Sequence, residues 1–163
     1  MNFRLLFVAG FAAVSVFSQP SSALMDQNPS LERVASALVL AGEQQLSDEN
    51  YADAQRSFER ALVANPASVV ALLNLGRVHE AQGRVGRSLK YYRQALQIDP
   101  RNQKGLEAQA MAFLKRSLVD RAERNADRLA EICGDTCVSV ETVRTAIANH
   151  RQQLAANTTD PGR

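Results

Sequence analysis

From Leu38 onward the apolar positions recur at helical spacing, and they do so in a block that repeats. Between Leu72 and Pro100, bulky and small residues alternate along two successive amphipathic runs. Leu72, Leu75 and Gly76 lie on the first, and Ser88, Tyr92 and Ala95 on the second, with Gly83 between them. Moving this block back by 34 residues sets Leu72 on Leu38, Gly76 on Gly42, Ser88 on Ala54, Tyr92 on Phe58, Ala95 on Ala61 and Pro100 on Pro66. Moving it forward by the same amount sets Leu72 on Leu106, Gly76 on Ala110, His79 on Phe113, Ser88 on Ala122 and Ala95 on Leu129. Tyr92 and Pro100 then meet only Ala126 and Gly134, so the third copy is degenerate. Each copy is two helical runs that cannot cover both of their apolar faces alone, so copies must stack.

The pattern predicts helices over 30–47, 51–64, 68–82, 86–98, 103–116, 119–132 and 140–154. Gly42 and Gly76, four residues after a leucine, leave room where a partner helix presses closest, and Phe58 and Tyr92 fill the gap. Asn50 and Ser68 are expected N-caps, Gly83 a C-cap glycine, and Pro66 and Pro100 stand where a helix must stop. Ser139 is expected to cap a last helix whose apolar stripe is Val140, Val143, Ile147 and Leu154. Its other face, Glu141, Arg144, Asn149, Arg151 and Gln152, suits water.

Leu75-Gly76, Ser88, Tyr92, Ala95 and Asp99-Pro100, with Gly42, Tyr51, Ala54, Phe58, Ala61 and Pro66 one period earlier, resemble the tetratricopeptide repeat. The resemblance covers about two thirds of the chain. Ala41 and Gln109 depart from it where a leucine is usual, and His79 where an aromatic is usual. It implies an all-α fold, a right-handed superhelical stack of helix-turn-helix hairpins with a C-terminal capping helix. Repeats fall at 35–68, 69–102 and 103–136 and the cap at 139–155, within a domain of 30–155 flanked by a flexible leader at 24–29 and a disordered tail at 156–163.

In function the resemblance implies a scaffold whose first helices line a concave face that holds a peptide. The residues placed there are Val39, Glu43, Val70, Leu73, Asn74, Arg77, Lys104, Glu107 and Met111, with Leu46, Glu80 and Leu114 alongside. Asn74 and Lys104 match two positions of the carboxylate clamp of chaperone-binding members. Val39, Glu43 and Ala108 do not match the other three, so a chaperone tail is not the expected ligand.

The first 23 residues read as a signal peptide: Arg4 supplies the positive start, Leu5 to Phe17 the apolar core, and Ser21-Ser22-Ala23 the small residues of a cleavage site. The run is short of the roughly 20 apolar residues of a membrane span. No cysteine stands between it and Cys133 to carry lipid, so the mature chain is expected to begin near Leu24 without a stable membrane anchor, exported and periplasmic. With 19 basic and 17 acidic residues, the charge is too even to propose a nucleic acid partner.

Export makes a disulfide the first reading of Cys133 and Cys137 in "CGDTC", where Gly134 and Asp135 favour a turn. A redox dithiol or half of a metal site is the alternative from a different functional class, and a self-assembling structural protein is another. No catalytic constellation stands out and no cofactor is expected. His79 reads as a packed imidazole and His150 as a solvated one, and the glycines near Gly83 lack the G-K-[ST] of a phosphate loop. The expected function is a non-catalytic adaptor for a protein or peptide partner, in an envelope, secretion or pilus-assembly system; oligomeric state is not expressed in the pattern.

Overall fold

The structure is a computed structural model that describes residues 29–159. The predicted signal peptide, most of the predicted leader and the last four residues lie outside the described residues. Seven helices follow one another: α1 Pro29–Ser47, α2 Tyr51–Ala64, α3 Val69–Ala81, α4 Val85–Ile98, α5 Gln103–Leu114, α6 Val119–Cys133 and α7 Val138–Thr159. The described residues contain no strand. Antiparallel pairs α1–α2, α3–α4 and α5–α6 stack on one another through α2–α3 and α4–α5, and α7 packs against both α5 and α6.

The glycines explain the pairing. A Cβ at Gly42 would lie 2.6 Å from Phe58 Cε1, and one at Gly76 would press still closer on the Tyr92 ring. Both rings are fully buried, each contributing about 2 to 3 kcal/mol of apolar burial. Ala54, Ala61, Ser88 and Ala95 keep the second helices slim, and all four are buried. In the third pair Ala110 and Ala126 meet instead, both buried. There Asn125 Nδ2 donates to Leu106 O at 3.1 Å and to Gln109 Oε1 at 3.0 Å, so the glutamine that departs from the repeat pattern becomes half of an interhelical lock.

The period also appears in the backbone. Each hairpin turns through one left-handed residue, at Glu49, Gly83 and Ser117, with φ of 57°, 71° and 56°. The hydrogen bonds follow the same register: Asn50 N to Gln45 O, Arg84 N to His79 O and Leu118 N to Phe113 O, at 2.8, 2.8 and 2.9 Å. These 6→1 bonds are Schellman closures. Only the middle copy uses glycine, the residue that adopts this conformation without a steric cost, so only that turn could be recognised from composition.

Several ends differ from expectation. Ser68 Oγ does accept from Ala71 N at 3.3 Å, but Asn50 stands at the N-cap without capping and donates to Asp53 Oδ2 at 2.6 Å. Asn102, unforeseen, caps α5 by accepting from Gly105 N at 2.9 Å. Ser139 is not an N-cap: α7 already begins at Val138, and the Ser139 hydroxyl reaches α5, donating to Glu107 Oε2 at 2.7 Å. α7 also continues through Thr159 where a disordered tail was expected from residue 156. Val140, Val143 and Ile147 form the buried stripe, whereas Leu154 is 43% exposed, since by that point α7 has run past the core.

Gly76→Ala is expected to destabilise the protein by about 1 to 3 kcal/mol, because Tyr92 cannot move without opening the α3–α4 contact. Thermal denaturation checks it, and a melting temperature equal to the parent's refutes the close approach. Ser117→Gly, which relieves left-handed strain at an exposed turn, is expected to leave stability unchanged or raise it by up to about 1 kcal/mol in the same assay.

Candidate functional site

The inner helices α1, α3 and α5 line a concave groove of about 620 Å³. Val69, Val70 and Leu73 supply its apolar surface, and Arg77, Arg101 and Lys104 its cationic side, with Glu43, Asn74 and Ala108 also on the wall. Val70 is half exposed. The helical period places Val70, Leu73, Asn74 and Arg77 on one side of α3, while Leu72, Leu75 and Gly76 turn inward.

Six of the nine residues expected in the groove therefore line it: Glu43, Val70, Leu73, Asn74, Arg77 and Lys104. Three do not. Val39 packs against the Phe58–Leu75 cluster. Glu107 is engaged by Ser139 of α7, and Met111 packs against the core that α5, α6 and α7 share and lines a separate hollow with Ala146, Asn149 and His150. The capping helix covers the end of α5 that a further repeat would have left open. Leu46 and Leu114 are likewise taken into the core clusters. Arg101 and Asn102, from the α4–α5 corner, and Gln103, the first residue of α5, were missed; loop residues carry no helical period to place them, and Gln103 only begins one.

Asn74 is 3% exposed, and its amide is already engaged. Its Nδ2 donates to Glu43 Oε1 at 3.0 Å, and its Oδ1 accepts from Arg77 Nη1 at 3.0 Å. A relay therefore runs from α1 to the exposed guanidinium on α3. Deeper in the wall, Tyr92 Oη donates to Glu80 Oε2 at 2.7 Å, and Glu80 Oε1 accepts from Lys115 Nζ at 2.6 Å. Burial first, and then that bond to the Glu80 carboxylate, push the Tyr92 phenol far above its usual range, so Tyr92 stays a neutral donor.

His79 is 1% exposed and stacks on Tyr91, with ring centroids 5.2 Å apart. It is a packed imidazole, as its place in the repeat suggests, and its Nδ1 finds no hydrogen-bond partner. Burial lowers its pKa, Arg84 and Arg87 lower it further, and Glu59 and Gln82 pull the other way. His150 is not the solvated residue expected: it is half-buried beside Met111 and Lys115, with Nε2 enclosed and unpaired. The Cys133 and Cys137 sulfurs lie at bonding distance across the α6–α7 corner, with Cα atoms 5.9 Å apart, within the usual range for a bridge. Gly134 turns that corner at φ 84°. Among the described residues no group of three or more His, Cys, Asp or Glu is placed to hold a metal ion. No described helix is long and apolar enough to cross a membrane.

Residues 39–103 match the tetratricopeptide repeat family, and the three stacked hairpins about them have the tetratricopeptide repeat fold. No curated protein matches it by sequence. Similar solved structures include the first tetratricopeptide domain of Spaghetti (RPAP3) bound to the HSP90 peptide SRMEEVD, at 14% identity and TM-score 0.67, covering 76% of this chain and 95% of that one. The Sgt2 domain of Aspergillus fumigatus is similar at 16% identity and TM-score 0.67, covering 79% and 84%. The type III secretion translocator chaperone SycD of Yersinia enterocolitica is similar at 16% identity and TM-score 0.65, covering 74% and 85%. At such identities the likeness is one of fold.

The lowered His79 pKa has a defined stability consequence. The unfolded chain takes up a proton near pH 6.5 while folded His79 still resists it. The His79 contribution is therefore neutral above that pH and becomes destabilising as pH falls from about 6.5 toward the lower folded value. Denaturant unfolding at pH 7.5 and pH 5.5 is expected to show a smaller loss in His79→Phe than in the parent. Equal losses would mean that His79 is not held neutral.

Proposed function

We propose that this protein is an exported, non-catalytic scaffold that holds an extended segment of a partner protein in the α1–α3–α5 groove. The observation that carries the reading is the groove itself: a concave wall between α1, α3 and α5 where the aliphatic side chains of α3 stand beside Arg77, Arg101 and Lys104, none of them in an ion pair among the described residues. Side chains so placed can pack against alternate residues of an extended chain and choose among sequences. SycD is also known in complex with a peptide of the translocator YopD, and the Spaghetti domain with its HSP90 peptide, so the fold is one on which peptides are held.

The signal-like start supports work in the envelope, with a periplasmic location in a Gram-negative bacterium and a place in secretion or pilus assembly as the fitting context. In that compartment Cys133 and Cys137 form a structural disulfide that ties the capping helix to α6.

Affinity capture of the mature protein from its own cell envelope tests the groove. Val70→Glu is expected to lower partner recovery about tenfold, since a carboxylate would be desolvated against an apolar ligand. Val63→Glu, at an exposed position of α2 outside the groove, is expected to leave recovery unchanged. Equal recovery by both variants would move the binding face elsewhere. Intact mass and N-terminal sequence of the secreted form check the rest: a start near Leu24, and two protons gained on reduction. Reduction at mild potentials accompanied by cycling would favour redox chemistry instead.

A further inference from the structure

Every charged side chain that lines the groove can be placed in one of two groups. Its carboxylates are committed to the fold: Glu43 accepts from Asn74, while Asp99 Oδ1 accepts from Arg101 N at 3.2 Å and Asp99 Oδ2 from Asn102 Nδ2 at 3.0 Å. Its cations are not. Among the described residues, neither Arg77, Arg101 nor Lys104 forms an ion pair. Arg77 spends one Nη1 contact on Asn74, which holds the guanidinium in place and leaves its other donors free. A fixed guanidinium loses less side-chain freedom on binding a carboxylate than a mobile one.

Asn74 bears on what kind of carboxylate can enter. Its amide is buried and already bonded through one Nδ2 proton and through Oδ1, and the Glu43 charge lies beside it. A chain terminus settling beside Asn74 would meet the like charge of Glu43. The aliphatic surface of Val69, Val70 and Leu73 lines the same groove as the three cations.

We infer that the groove takes an internal, extended segment of its partner in which an aliphatic side chain stands within a few residues of an aspartate or glutamate, the acid being read by Arg77, Arg101 and Lys104. This rests on the groove being the binding face, as proposed above, and adds the chemistry of the occupant. Glu43 and Asn74 act in it as positioning residues for Arg77.

The test is selection of the full mature protein against a randomised library of dodecapeptides that are acetylated at the N-terminus and amidated at the C-terminus, followed by titration of the sequences recovered. Enrichment of Asp or Glu near Val, Ile or Leu is expected. Changing that acid to its amide should weaken binding about tenfold, and the same change should have little effect once Arg77→Gln and Lys104→Gln are combined, as a double-mutant cycle requires. Circular dichroism of the variant confirms that it is folded. Binding should also weaken from 50 to 500 mM salt. Peptides rich in Lys or Arg, indifference to the acid, or binding only with a free terminal carboxylate overturn the inference while leaving the groove reading intact, provided Val70→Glu abolishes that binding. Peptides that bind Val70→Glu as well as the parent, or a library that yields no binder, overturn the groove reading and this inference with it.

Discussion

The structure depends on two places where a helix backbone lies against the flat of an aromatic ring. At Gly42 and Gly76 the absence of a side chain lets α1 and α3 approach Phe58 and Tyr92 more closely than any Cβ would allow. That contact sets the separation of each hairpin, and the separation decides how the next hairpin can nest on it. Because the interaction is one of fit rather than of charge, it admits little adjustment: the ring is enclosed on all sides, and protein interiors do not deform continuously. The curvature that opens the groove between α1, α3 and α5 follows from repeating the same close approach.

The third hairpin keeps the architecture by other means. With Ala110 and Ala126 in place of the glycine and the ring, the pair is held by the Asn125–Gln109 bond and by the shared core with α7. A polar lock of this kind needs both partners, since an unpaired buried amide is costly. It therefore substitutes specific hydrogen bonding for the close apolar fit of the first two pairs. This hairpin is also where α7 attaches, through Val140, Val143 and Ile147 beneath and Ser139 at the edge.

What the amino-acid pattern made legible was the packing, because packing depends on side-chain size at helical spacing. The period, the three pairs and the buried positions of Phe58, Tyr92 and Leu129 all follow from it. Less could be read where a residue's role depends on what reaches it from far along the chain. Glu107 and Met111 are at groove positions by their own period, yet a helix more than twenty residues later covers them. Val39 is drawn inward by Phe58 and Leu75. The left-handed turns at Glu49 and Ser117 were hidden because neither residue type announces that conformation, and they became evident only through the backbone period they share with Gly83.

These two departures bear on each other. Because α7 occupies the far part of α5, the open wall is confined to the first turns of α5 together with α1 and α3, and the α4–α5 corner becomes its boundary. Arg101 and Lys104 stand at that boundary, one on the turn and one on the first turn of α5. Asn102 caps the same helix and accepts its bond from Gly105, so the corner that presents the cations is held by hydrogen bonds rather than left free. A further repeat in place of α7 would have extended the groove but also opened Glu107 beside Lys104, placing an acid next to a free cation. Ser139 instead bonds Glu107 Oε2, so the capping helix fixes that carboxylate at its own edge. The element that ends the stack thus also sets where the open wall stops.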